Sequence, residues 1–181
     1  MRIERRAGAA CAGLCSVLLT ACPVGQHHAS DSSLEQNLLQ HEAQFEALRV
    51  DMQADDKLEM IGRSEVRYAN RLFTDLNSTP DVEREGFTHE RWQWYQQQLR
   101  ELGLAQAYRG ADGVTFKVDQ GSITNGDSYK GYEYDATPPQ NQKLSLDGYR
   151  ISEADRNSSG GYRVTKPIKG HWYLYLFVNG S

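Results

Sequence analysis

Seven consecutive residues near the C-terminus, Trp172 to Val178, contain no charge and no turn former. The two-residue period of a strand puts Trp172, Leu174, Leu176 and Val178 on one face and Tyr173, Tyr175 and Phe177 on the other. Neither face suits water, so such a strand is central or covered on both sides. It is preceded by Tyr162 to Ile168 and the turn pair Lys169-Gly170, which together read as a closing hairpin. Further upstream, Val114, Phe116 and Val118 alternate with Thr115, Lys117 and Asp119, and Tyr129 to Tyr134 reads as another strand. Asp112-Gly113 and Asn125-Gly126 are hairpin-type turns. The C-terminal half is therefore expected to form an antiparallel sheet of about four to five strands.

Two amphipathic helices are expected before it. Ser32 and Glu35 fit a capping box, and Leu34, Leu38, His41, Phe45, Leu48 and Met52 follow at alternating spacings of four and three. That stripe ends near Asp55-Asp56, with Leu58 to Ile61 as a last turn or a short extended piece. Residues 62–87 show weak periodicity. Thr88 is an expected N-cap, with Trp92, Tyr95, Leu99 and Leu102 along one face and Gly103 just past the end. Two helices followed by an antiparallel sheet make an α+β domain.

The first segment has a different logic. Arg2, Arg5 and Arg6 precede a short alanine-rich apolar run, Ala7 to Leu19, too short to span a bilayer comfortably. It ends in Leu19-Thr20-Ala21-Cys22, which resembles the bacterial lipobox. The resemblance implies a signal peptide over residues 1–21, cleavage before Cys22, and acyl chains on Cys22. At about 0.8 kcal/mol per buried methylene, two or more chains hold a protein on a membrane essentially permanently. Residues 22–31, with His27-His28, are then expected to be a lipidated tether, and residues 32–181 one domain. Pro23 after the cysteine favours the outer membrane by the enteric sorting pattern, with the domain on the periplasmic face.

The three cysteines are Cys11, Cys15 and Cys22, and none follows. A mature domain therefore has no internal disulfide, no thiol nucleophile and no cysteine-based zinc site. The net charge of −4 becomes −6 once Arg2, Arg5, Arg6 and Glu4 leave with the signal. An acidic domain is a poor binder of nucleic acid, which calls for a basic patch.

No motif commits the chain to a reaction, a cofactor or a metal. Ser128 and Lys130 share one face of a strand, a spacing that a serine–lysine hydrolase would exploit. His41, His89 and His171 lack ligand spacing. Of the ten tyrosines, Tyr132, Tyr134, Tyr173 and Tyr175 are the expected binding residues, since tyrosine offers area with a polar handle. Arg91-Trp92, Tyr95, Lys130-Gly131-Tyr132, Tyr134 and Gly170-His171-Trp172-Tyr173-Leu174-Tyr175 resemble a group of small uncharacterised bacterial proteins, many of them lipoproteins. That resemblance implies a single domain and transfers no catalytic residue. The expected role is a non-enzymatic envelope lipoprotein of inhibitor, immunity or assembly type, using its sheet or the 138–161 segment. Its partners are membrane lipid through Cys22 and a protein. The alternative is a hydrolase or metal-dependent enzyme on cell-wall or periplasmic substrates.

Overall fold

A computed structural model describes residues 28–74, 79–111, 113–123, 126–149, 152 and 161–179, without the side chains of 79–81 and 119–127. Cys22 and the whole expected signal lie outside these residues. The described residues form an α+β fold of four helices and eight strands. Helices α1 (Asp31–Gln40) and α2 (Glu42–Ala54) lead into strands β1 (Leu58–Gly62), β2 (Val66–Tyr68) and β3 (Arg71–Phe73). Helices α3 (Thr79–Arg84) and α4 (His89–Glu101) follow. Strands β4 (Gln106–Arg109), β5 (Gly113–Ile123), β6 (Gly126–Asp135), β7 (Tyr162–Lys169) and β8 (Trp172–Val178) complete the chain. The strands form one open antiparallel sheet in the order β3-β2-β1-β4-β5-β6-β8-β7.

Three sequence expectations change. The first helix is two, because His41 leaves helical geometry (φ −117°, ψ 22°) and its side chain bonds Gln44 instead (Nδ1 to Oε1 2.7 Å). Ser30, not Ser32, is the N-cap: its hydroxyl accepts the Ser33 N–H at 3.2 Å, while Glu35 turns away to Lys166. The sheet has eight strands where about four to five are expected, and the helices do not all precede it: β1 to β3 lie between α2 and α4, and α3 is an addition to the two expected helices. Strands β1 to β4 are three to five residues each, and the β2–β3 turn runs through Ala69 and Asn70 at φ 51° and 62°. That is type I′ geometry reached without glycine, so the usual hairpin signal is missing. The second expected helix holds as read: Thr88 accepts the Arg91 N–H at 3.2 Å, and Gly103 follows at φ 69°.

Register divides the sheet into two faces. Ala107, Phe116, Tyr132 and Leu174 pair in one continuous inner row across β4, β5, β6 and β8. All four are buried under the helices. Phe45 of α2 seats at its centre, with ring centroids 4.8 Å from Tyr132, 5.9 Å from Phe116 and 5.8 Å from Trp172. These edge-on geometries add to the burial itself. Strand β8 is covered on both faces, as its sequence requires. Its neighbour β7 carries Pro167 and is covered in turn by 141–143, where the Lys143 N–H donates to Thr165 O and the Thr165 N–H to Asn141 O. The proline and that cover blunt an edge that would otherwise invite pairing.

Because Phe45 is fully buried against three aromatic rings, Phe45→Ala is expected to cost about 4 kcal/mol. Urea unfolding followed by far-ultraviolet circular dichroism checks this, and a loss below about 1 kcal/mol would place the core elsewhere.

Candidate functional site

Two groupings of polar side chains emerge, one on each face of the sheet. The inner one centres on Lys130, which is almost entirely buried on β6. Its ammonium donates to Ala29 O and Asp147 Oδ1, both at 2.8 Å, and stands 2.7 Å from Asp31 Oδ1. Asp31 is buried as well. Its Oδ2 accepts the Leu146 N–H at 2.7 Å and the Ser145 hydroxyl at 3.1 Å, with the Lys166 ammonium 3.4 Å away. The Asp147 carboxylate accepts the Asp31 N–H in return, at 2.9 and 3.0 Å. Burial alone would raise the Asp31 pKa. The Lys130 ammonium, the Leu146 N–H and the Ser145 hydroxyl outweigh it and bring the value down to about 2.

Ser128 does lie on the same face as Lys130, as the spacing predicts. That face is the core: Ser128 has no exposed surface, and its Oγ is 2.7 Å from His28 Nε2. A hydroxyl closed off from solvent does not meet a substrate, and a lysine held by two carboxylates is a structural cation. The grouping instead pins residues 28–31 and 145–147 to β6. Of the expected tether, residues 28–31 are docked on the sheet and residues 22–27 lie outside the described residues.

The outer face carries a cleft of about 390 Å³. Strand pairing brings its parts from five strands. Tyr108 of β4 is directly opposite Thr115 of β5, Tyr129 of β6 is opposite Phe177 of β8, and Phe177 is opposite Arg163 of β7. Lys117 and Tyr175 both pair with Gly131, so the middle of the cleft has no side chain. The glycine is obligatory there. Next to a β-bulge after Lys117, a Cβ on Gly131 would lie 1.9 Å from Phe116 O.

Two cations sit on two tyrosine rings in this cleft. The Lys117 ammonium is 3.6 Å from the Tyr129 centroid, and the Arg163 guanidinium 4.4 Å from that of Tyr175. Such cation–aromatic pairs fix otherwise floppy side chains. Arg163 Nη2 pairs with Glu133 Oε1 at 2.9 Å and donates to Thr115 Oγ1 at 3.4 Å. Burial raises the pKa of Glu133, with Asp135 adding to the rise and Arg163 opposing it. Burial likewise pushes the Tyr175 hydroxyl well above its ordinary value. Glu133 Oε2 and Arg163 Nε are buried and have no hydrogen-bond partner among the described residues.

The four expected binding tyrosines do not share a surface. Tyr173 and Tyr175 are on the outer face, and Tyr175 lines the cleft. Tyr132 and Tyr134 pair with Leu174 and Trp172, and so point to the core side. The Tyr132 hydroxyl donates to Leu34 O at 3.1 Å and accepts from Asn37 at 3.0 Å; burial raises its pKa to about 12. Tyr134 packs against Trp172 and beneath Arg49. The physical reason is register: a tyrosine at an even position of β6 and one at an odd position of β8 face opposite ways. The sequence reading missed Lys117, Arg163 and Tyr108, whose alternation with core residues marks them as outward but not as neighbours. His41, His89 and His171 are dispersed over α1–α2, α4 and the β7–β8 turn. Among the described residues, no cluster of three histidine, cysteine or acidic side chains is placed to hold a metal. Nor, among the described residues, is any helix long and apolar enough to cross a membrane. Comparison of the chain with protein-family models, with curated proteins and with solved structures returns no match.

Two outcomes are expected from this geometry. Lys130→Met leaves a buried aspartate facing an apolar side chain and should cost about 3 kcal/mol, read as a lower urea midpoint. The Asp31 pKa is depressed in the fold, so its contribution, about 2 kcal/mol, is fully present above pH 4 and lost as pH falls from 4 toward 2. Asp31→Asn should therefore flatten the acid limb of the stability–pH curve over that interval.

Proposed function

We propose that this chain is a membrane-anchored envelope lipoprotein whose domain binds a macromolecular partner through the outer face of its sheet and performs no chemistry of its own. The anchor rests on sequence alone: the basic start, the short apolar run and Leu19-Thr20-Ala21-Cys22. The binding reading rests on one observation, the aromatic cleft in which Lys117 and Arg163 are held on Tyr129 and Tyr175. Preorganised side chains lose little freedom when a partner arrives, and that makes a surface of this kind worth maintaining.

The inner polar cluster supports the anchored reading in a second way. Lys130 fixes Ala29, so the seven residues Pro23 to Ala29 join the acylated Cys22 to the body of the domain. Fully extended, they reach at most about 25 Å. The domain would be kept close to the bilayer, and its partner would be met at the membrane surface, on the periplasmic side of an outer membrane. The competing reading, a hydrolase or metal-dependent enzyme, draws on Ser128 and Lys130. Their burial gives it little support.

The experiment joins both halves. Cys22→Ser should move the chain from the membrane to the soluble fraction. The C-terminally tagged wild type, cross-linked briefly in mild detergent, should capture one stoichiometric protein that the Lys117→Met/Arg163→Met double variant loses, while far-ultraviolet circular dichroism shows that variant still folded. A partner captured equally by both would move the interface off the cleft; no partner under repeated gentle conditions would overturn the protein-binding reading.

A further inference from the structure

We propose that the corner of the domain carrying Leu144 rests on the bilayer, and that this leucine is a second, non-covalent contact with lipid beside the acyl anchor. The proposal depends on the anchored reading above and adds how the domain lies on its membrane.

Leu144 is 97 % exposed, against 52 % for the next most exposed large apolar side chain among the described residues, Leu39. A scattered surface leucine is ordinary. This one is held in water by its own backbone. Before it, the Lys143 N–H donates to Thr165 O at 2.7 Å. After it, the Ser145 hydroxyl and the Leu146 N–H donate to Asp31 Oδ2 at 3.1 and 2.7 Å. Leu146 is buried. With both sides clamped, Leu144 cannot turn inward without breaking bonds to β7 or to Asp31.

Its place in the fold names the occupant. Ala29 O and Asp147 Oδ1 meet on the Lys130 ammonium, each at 2.8 Å, so the chain enters the domain where the 141–147 segment ends. Leu144 is three residues from Asp147, at most about 11 Å along the chain. The stretch from Pro23 to Ala29 reaches at most about 25 Å, so an acylated Cys22 holds this corner near the lipid. The neighbours of Leu144 are Gln140, Asn141, Gln142, Lys143 and Ser145. A protein interface needs roughly 800 Å² from each partner, and one leucine among polar residues does not supply its apolar centre. A bilayer takes in a single side chain once an anchor keeps the domain there. Two lysines of this corner are already paired, Lys166 with Glu35 and Lys169 with Glu42. The contact is therefore apolar and does not call for anionic headgroups.

The sheet supplies an internal control. Residues 141–143 run along β7, one edge of the sheet, and β3 is the other edge. Eight strands make seven spacings, about 34 Å at about 4.8 Å each. Strand β3 carries Leu72, which is also exposed. The sheet thus stands with its β7 edge to the lipid and its β3 edge away, and the outer face stays open to a partner.

The test uses the full, acylated chain in phosphatidylcholine vesicles. Leu144→Cys and Leu72→Cys are each labelled with nitrobenzoxadiazole, and circular dichroism checks that both are folded. The label at 144 is expected to emit to the blue of the label at 72 and to be quenched about threefold more by doxyl-labelled lipid. Replacing a third of the lipid by phosphatidylglycerol should leave that ratio unchanged. Equal, weak quenching at both positions on a vesicle-bound chain would overturn the lipid contact and spare the anchor. A blue shift at 144 that appears only in native membranes, without doxyl quenching, would mean that a protein covers this corner and would also overturn it. A wild-type chain found in the soluble fraction, as Cys22→Ser is expected to be, would defeat the anchored reading and this inference with it.

Discussion

A lysine ammonium without water is the condition around which much of this structure is arranged. Lys130 points from the middle of β6 into the core, and taking that charge out of solvent costs several kcal/mol unless its donors are met. Three oxygens meet them, and they come from three places: the backbone of Ala29, the first turn of α1 and the loop before β7. Satisfying one side chain therefore fixes the entry of the chain, the start of the first helix and the segment around Asp147. Asp31 gains doubly, since a carboxylate in the first turn of a helix also faces the positive end of its dipole. Replacing the whole cluster by apolar residues would be tolerated energetically more readily than breaking it. The cluster is best understood as a device that decides where the N-terminal segment goes.

The sheet separates support from recognition. On the inner side, Phe45, Phe116, Tyr132 and Trp172 form an aromatic core that holds the helices. On the outer side the same strands present Lys117, Tyr129, Arg163 and Tyr175. The bulge after Lys117 links the two. Beside it stands Gly131, where a Cβ would run into the backbone of β5.

Much of the architecture could be read before folding was considered. Helix α4 with its Thr88 cap and Gly103 exit, strands β5 and β6, and the β7–β8 hairpin all announce themselves by period and turn chemistry. Strands β1 to β4 do not. They are too short to show alternation, and Ala69-Asn70 makes a tight turn without the glycine that normally signals one. The break at His41 is also silent, because the apolar stripe of Leu34, Leu38, Phe45 and Leu48 runs straight across it. Nothing in residues 28–31 marks them as docked, since their partners lie about a hundred residues away.

The sequence by itself determined which residues face inward and which outward on each long strand, because the two-residue period is a property of the backbone. It also determined that the core holds without disulfides, all three cysteines falling within the first 22 residues. Tertiary structure alone decided which outward residues become neighbours. Tyr108, Lys117, Tyr129, Arg163 and Tyr175 are brought together by strand order and register, which depend on how turns, the bulge and the helices pack. It decided as well that Ser128 and Lys130 serve the core and not a substrate, since burial is set by what other segments place on top of a strand.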